Sequence, residues 1–320
     1  MLAEEIAQWR KRAAGGGQEL RFGVEWIARH AGEGSADARY MLAVLTASGI
    51  GVPQDLKTAL DHLSQAAQAG HPRAQRELAA LVGNWTLIDK IAAGKLPPAG
   101  SWQHLRSAVD LAAWLEIPAG QALSPDPRIA TARRYLSAPL CEWLIRSGQP
   151  RLGRATIYDA DSGALRSDER RTNTAAYYDL EVIDVVVAFI RARVSALANV
   201  SISGLETSQL LHYRVGEEFA VHCDYLDPNN AGHARDIAAT GQRALTVLVY
   251  LNDDYEGGDT TFPDIGRSFK GRKGDLLVFW NLKPDGTPDG RTRHVGTAPT
   301  RGEKWLFSQW IRIPATQSTA

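Results

Sequence analysis

Tyr213-Arg-Val-Gly-Glu-Glu-Phe-Ala-Val-His-Cys-Asp224 ends in a histidine and an aspartate separated by one residue. Its apolar and small residues fit a short strand. Side chains two apart on a strand leave the backbone on the same face. His222 and Asp224 therefore project together, and Cys223 points away. A pair of this kind offers two metal ligands from one segment.

A third ligand is available downstream. His294 follows a run of strand-like segments and can close the same face. Two histidines and one carboxylate form the facial triad of non-heme iron(II) sites, which leaves open positions for other ligands. A His-x-Asp alone is weak evidence, because it arises by chance in surface and core positions. Lys304 adds to it. The lysine stands in Gly302-Glu-Lys-Trp-Leu-Phe-Ser-Gln-Trp310, a segment otherwise apolar at alternate positions. A lysine pointing into a barrel is costly without an anion to meet it. A dicarboxylic cosubstrate would supply that anion through a charge-assisted hydrogen bond. The same residue also reads as a surface lysine on an edge strand.

Around these residues the pattern is helices first, then strands. Ala130 to Arg146 reads as an amphipathic helix, and Asp179 to Ala198 carries a helix-period apolar stripe. After Ser201 come the short runs Gln209–Val215, Ala244–Leu251, Asp275–Trp280 and Trp305–Ile313, separated by Gly-, Asn- and Asp-rich turns. This order indicates an α+β domain whose strands form a rolled double sheet with flanking helices.

The N-terminal third is helical and repeats. Gly34-Ser-Ala-Asp-Ala38 and Gly70-His-Pro-Arg-Ala74 stand in register at a period of 36 residues, and Leu42-Ala43 matches Leu78-Ala79. Such a period suggests stacked pairs of antiparallel helices. The expected division is a helical-repeat segment at 1–85, a connector at 86–122, the strand-rich domain at 123–315 and a tail at 316–320.

Composition narrows the partners. Thirty-six basic residues balance 36 acidic ones, which argues against a dedicated nucleic-acid or anionic-membrane binder. The longest apolar run, Val185 to Ile190, is far short of a membrane span. The first ten residues carry acids and no apolar core of the signal-peptide kind, so a cytoplasmic location is expected. Two cysteines make no disulfide framework or zinc finger, so metal chemistry falls to His, Asp and Glu.

Several spaced motifs carry a family resemblance. Asp275-Leu-Leu-Val-Phe-Trp-Asn-Leu-Lys-Pro-Asp-Gly286, Arg293-His294, Arg301-Gly-Glu-Lys-Trp305 and Trp310-Ile-Arg312 resemble the C-terminal half of the prolyl 4-hydroxylase catalytic domain. Tyr213 to Asp224 is similar to that family's approach to its His-x-Asp. Gly257-Gly-Asp-Thr-Thr-Phe-Pro263 matches its Gly-Gly turn, and Arg133 to Ile145 and Arg170 to Thr174 resemble its leading helix and the segment after it. The likeness covers about residues 125–313.

The resemblance implies a double-stranded β-helix (jelly-roll) fold and an iron(II)- and 2-oxoglutarate-dependent dioxygenase. It implies His222, Asp224 and His294 as iron ligands, and Lys304, Tyr213 and Thr260 as partners of the distal 2-oxoglutarate carboxylate. Trp310 would stand near the substrate. By themselves Tyr213 and Trp310 also read as core aromatics, and Thr260 as a turn hydroxyl. Dioxygen would be the second cosubstrate and ascorbate the reductant. The retained carboxylate of Asp224 favours hydroxylation over halogenation. Phe219 departs from the pattern, since the family commonly has a tyrosine three residues before its first histidine. The segment Asp227 to Gln242 resembles a mobile substrate-covering loop.

Ala38 to Gly70 similarly resembles a SEL-type repeat, a relative of tetratricopeptide repeats, which reads either as a docking surface for a protein partner or substrate or as a structural cap with no partner. The implied substrate is a prolyl or other side chain of a protein or peptide. Two other readings stay open: a hydroxylase of a free amino acid or natural-product small molecule, and a non-catalytic repeat scaffold with a metal-binding barrel.

Overall fold

Ser35 and His71 occupy equivalent places in the repeat, and in the computed structural model each caps a helix. The Ser35 hydroxyl accepts from Ala38 N, and His71 Nδ1 accepts from Ala74 N. Gly34 and Gly70, one residue earlier, turn the chain at φ of 100° and 91°, where a side chain would be strained. The periodicity of the sequence is thus a periodicity of helix starts. Asp55, Asn84 and Asp110 cap three more helices in the same way.

The structure describes residues 2–13, 16–98, 100–159 and 164–314, and the expected tail at 316–320 lies outside them. In chain order the helices are α1 (Leu2–Ala13), α2 (Gly17–Gly32), α3 (Ala36–Ser48), α4 (Leu56–Gln68), α5 (Pro72–Leu81), α6 (Trp85–Ala92), α7 (Ser101–Ala108), α8 (Leu111–Leu115), α9 (Ala138–Gly148), α10 (Val185–Ala198) and α11 (Ala231–Thr240). The strands are β1 (Gly120–Ser124), β2 (Ile129–Ala132), β3 (Gly153–Arg154), β4 (Thr156–Asp159), β5 (Ala164–Ser167), β6 (Thr174–Tyr178), β7 (Ser208–Tyr213), β8 (Phe219–His222), β9 (Gln242–Tyr250), β10 (Glu256–Gly257), β11 (Thr260–Phe262), β12 (Arg267–Phe269), β13 (Leu276–Trp280), β14 (His294–Gly296), β15 (Pro299–Arg301) and β16 (Lys304–Ile313).

Two compact units result, Met1–Glu116 with Tyr178–Leu197, and Ile117–Tyr177 with Ala198–Ala320. The first is all-helical. Small residues Ala38, Ala43, Ala59, Ala66, Ala67 and Ala79 are fully buried and let α3, α4 and α5 approach closely. Helix α10 belongs to this unit although it follows β6 in sequence. Val185 to Ile190 are all buried, and a helix apolar all round needs cover on every side. Its start is held by Val185 N, which donates to Glu77 Oε2 at 3.0 Å, and by Val187 N, which donates to Asp184 Oδ1 at 2.7 Å. Arg10 donates to Leu180 O and Ile183 O just upstream.

The second unit is strand-rich and antiparallel. An eight-stranded sheet runs β1-β2-β13-β9-β16-β7-β6-β3, and a four-stranded sheet runs β12-β11-β14-β8. Leu211, Tyr213, Leu248, Tyr250, Leu277, Phe279 and Leu306 from the larger sheet share one core with Phe262 of the smaller. Phe262 and Phe279 meet edge to face at 5.2 Å. The architecture is the α+β, double-sheet one expected.

Two local expectations differ. Ala130 starts no helix. Ile129–Ala132 pairs with Leu276–Phe279 as β2, and α9 begins only after Ser137, with Pro139 in its first turn. The residues of β2 are short and partly apolar, and a neighbouring strand captured them. Within Asp227 to Gln242 lies α11, capped by Asn230, which accepts from Gly232 N and His233 N.

Candidate active site

Strands β8 and β14 pair antiparallel with His222 directly opposite His294. Asp224 follows two residues on. One donor atom from each of the three lies within 4.8 Å of the other two. His222 Nε2 is 3.5 Å from Asp224 Oδ1, and His294 Nε2 is 3.7 Å from Asp224 Oδ2.

Backbone carbonyls settle the tautomers. His222 Nδ1 is 2.8 Å from Ala220 O, and His294 Nδ1 is 3.1 Å from Thr292 O. A carbonyl only accepts, so each Nδ1 carries a proton and each Nε2 is the nitrogen that faces Asp224. Burial, reinforced by His222, pushes His294 down to about 4, so its ring is neutral near pH 7. Burial acts to raise the Asp224 carboxyl, but His294, His222 and the Thr246 hydroxyl outweigh it and hold it well below the usual range. The cluster thus pairs an ionised carboxylate with the neutral imidazole of His294 and the ring of His222.

Asp224 is aimed from behind. Thr246 on β9 donates to Oδ2 at 2.7 Å, and Asn281 Nδ2 donates to the Thr246 hydroxyl at 3.0 Å. The sequence reading missed both residues, which no motif connects to Asp224.

Lys304 starts β16 in register with Tyr213 on β7. It is 0% exposed, and its Nζ has no hydrogen-bond partner among the described residues. The ammonium stands 5.1 Å from the Tyr213 ring centroid and 5.6 Å from that of Tyr250. Burial pushes it down to about 7, with Asp259 opposing and Lys270 assisting. Burial also lifts Tyr213 to about 12, so its phenol stays protonated and able to donate. The Thr260 hydroxyl is 2.8 Å from Tyr250 Oη, which also donates to Phe269 O. The turn at Gly258 has φ of 70°, and a Cβ there would come within 3.3 Å of Lys304 Cδ.

One pocket is lined by all eight residues singled out from sequence: the three donors, Lys304, Tyr213, Thr260, Phe219 and Trp310. Trp310 is covered by the Arg243 guanidinium at 3.8 Å. Arg243 and Arg312 both pair with Glu206, and Arg312 reaches Asp236 on α11. Arg171 also lines the pocket and carried no assigned role.

Residues 208–312 match the family model of the 2OG-Fe(II) oxygenase superfamily. Over 220 residues the chain is 30% identical to probable prolyl 4-hydroxylase 10 of Arabidopsis thaliana, covering 62% of this chain and 72% of that protein. The chain belongs to the 2OG-Fe(II) oxygenase superfamily. This oxygenase is also 31% identical to Arabidopsis thaliana prolyl 4-hydroxylase 1 over 210 residues, 61% of this chain and 72% of the relative. A solved structure of a viral collagen prolyl hydroxylase from Paramecium Bursaria Chlorella virus-1 aligns with 57% of this chain and 95% of its own, at 23% identity and a TM-score of 0.45. The enzyme is a dioxygenase that uses iron(II), 2-oxoglutarate and dioxygen. The residues present suit those groups: two imidazole nitrogens and an ionised carboxylate converge, and Lys304 Nζ has no hydrogen-bond partner among the described residues. No helix among the described residues is long and apolar enough to cross a membrane.

Proposed function

We propose that this oxygenase hydroxylates a C–H bond of a prolyl residue in a protein or peptide. In this reading His222, Asp224 and His294 hold the iron(II), and Lys304, Tyr213 and Thr260 take the distal carboxylate of 2-oxoglutarate. The observation that carries it is the Lys304 amine, fully buried and without a hydrogen-bond partner among the described residues, in the same pocket as the three-donor cluster. A buried cation of this kind is costly to keep unless a ligand supplies its anion. The prolyl substrate is supported by the relatives, which bear the name prolyl 4-hydroxylase.

When bound, the iron and its cosubstrates supply oxidising power: 2-oxoglutarate loses carbon dioxide to become succinate, and an oxygen atom enters the substrate C–H bond. The chain's own residues prepare for that. Ala220 O and Thr292 O hold the two imidazoles by Nδ1, so that Nε2 of each is the nitrogen turned toward the metal. Thr246 fixes one Asp224 oxygen by donating to it. Lys304, Tyr213 and Thr260 orient a carboxylate and need no water to do so, since all three are buried. Phe219 and Trp310 line the same pocket, Trp310 beneath the Arg243 guanidinium.

The helical unit serves, in this reading, as a SEL-type docking face for a protein partner, and the enzyme works in the cytoplasm with ascorbate keeping its iron reduced. The test is iron(II)-dependent succinate formation with proline-containing peptides, read together with a gain of one oxygen atom in peptide mass. His222→Ala and Asp224→Ala abolish both signals. Turnover of free proline but of no peptide would replace the peptide reading with the small-molecule one.

A further inference from the structure

His222 is the most exposed of the three donors, and its ring is not left to its one hydrogen bond. The Phe219 ring lies on it with centroids 3.5 Å apart and an interplanar angle of 15°. On the same phenyl ring sits the guanidinium of Arg171, with Cζ 4.6 Å from the centroid. Stacking at 3.5 Å fills one face of the ring, so the guanidinium occupies the other. The order is guanidinium, phenyl, imidazole.

The outer layer of this stack is itself fixed. Arg171 is 2% exposed. Its Nη1 donates to Thr156 O at 2.8 Å, Nη2 to Gln209 Oε1 at 3.2 Å and Nε to Asn173 Oδ1 at 3.3 Å. All three acceptors are neutral, so the cation is matched to the electron-rich face of the phenyl ring. The backbone holds the same alignment. Arg171 and Phe219 form an antiparallel bridge, flanked by Thr172 N donating to Glu218 O and Ala220 N donating to Arg170 O. This short pairing covers the outer edge of β8, which carries His222.

The hydrogen bond from His222 Nδ1 to Ala220 O sets which nitrogen faces inward, but it leaves the ring free to rock out of plane. A flat surface stacked on the imidazole removes that freedom. Ordering a half-buried ring before the metal arrives saves the entropy of ordering it afterwards. We propose that Phe219 is a positioning residue that holds the His222 imidazole in its metal-binding orientation, and that Arg171 acts through it by anchoring the phenyl ring. The inference rests on the metal-site reading above.

The test is Co(II) binding to the full-length chain, read as a dissociation constant by calorimetry and as the visible absorption of the bound ion. Phe219→Leu keeps apolar volume and removes the flat ring. It is expected to weaken Co(II) binding about tenfold or more, within the range seen when supports of metal ligands are removed, and to alter the visible bands. Phe219→Tyr keeps the ring and restores both readouts. If the leucine variant does not fold, Phe219→Met is read in its place, since methionine fills irregular space with little strain. A folded variant that binds Co(II) as tightly as the wild type, with the same spectrum, overturns the proposal alone. A wild type that binds no Co(II), or binds it unchanged after His222→Ala, overturns the metal-site reading and the proposal together.

Discussion

Replacing Lys304 by methionine should stabilise the cosubstrate-free protein and cripple its hold on 2-oxoglutarate. The two effects have one cause. In the free protein the ammonium is fully buried with no hydrogen-bond partner, and burial lowers it from 10.5 to about 7. Because the folded value lies below the unfolded one, the unfolded chain binds more protons between these limits. The cost to the fold is therefore complete below about pH 7 and fades as pH rises toward 10.5. At pH 7 that difference amounts to about 4 kcal/mol at most. Methionine is apolar and similar in length, so Lys304→Met recovers a part of it, on the order of 1–3 kcal/mol after packing losses. For 2-oxoglutarate the sign reverses. Removing one partner of a buried charge pair costs about 2–5 kcal/mol, or roughly 30-fold to a few thousandfold in affinity. The assays are thermal melts without cosubstrate from pH 6.5 to 9.5 and calorimetric titration of 2-oxoglutarate with a redox-inert divalent metal present. The variant should melt higher, with an advantage that shrinks as pH rises. Wild-type binding should take up a proton above about pH 7, visible as a heat that depends on the buffer, and the variant should lack this uptake. A variant that melts lower at every pH and binds 2-oxoglutarate as the wild type does would refute the argument.

Three further outcomes follow from particular contacts. Thr246→Val removes the hydroxyl that donates to Asp224 while keeping the shape, and should weaken Co(II) binding about tenfold with little change in fold by circular dichroism. Gly258→Ala places a methyl group within 2.8 Å of the Tyr255 ring and 3.3 Å of Lys304 at a φ of 70°, so it should cost about 1–3 kcal/mol of stability and raise the KM for 2-oxoglutarate. Glu77 is held from 4.5 up to about 8, mainly by burial, and accepts from Tyr40 and Val185 N. A carboxyl raised in this way costs stability as pH climbs from about 4.5 to 8. The stability of the wild type relative to Glu77→Gln should therefore fall by roughly 3–4 kcal/mol between pH 5 and 9, measured by urea unfolding; a flat difference would show that Glu77 is ionised throughout.

Local rules made part of this protein legible before any coordinates. Ser35 and His71 announce helix starts, because a cap needs only its own side chain and an amide three residues on. Strand periodicity predicts His222 and Asp224 together; they do converge, but β8 ends at His222 and Asp224 stands in the bend just past it. The site extends beyond such rules. Arg171 touches Phe219 through a pairing across 48 residues of sequence, and Thr246 reaches Asp224 from β9, itself held by Asn281 just past the end of β13. Arginine, threonine and asparagine are common enough that nothing in their type or spacing marks them. Ile129–Ala132 shows the same limit in the fold, since a short run with weak preference became a strand once β13 offered it hydrogen bonds.

The sequence by itself determined the N-terminal helices and the run of strands, and it singled out His222, Asp224, His294 and Lys304, because each rests on residue chemistry or on a period a few residues long. The tertiary structure alone decided that α10 is core to the helical unit, that Lys304 Nζ has no hydrogen-bond partner among the described residues, and that Phe219 lies flat between Arg171 and His222. Those facts depend on which distant surfaces exclude water from one another, and burial of that kind is a property of the assembled chain.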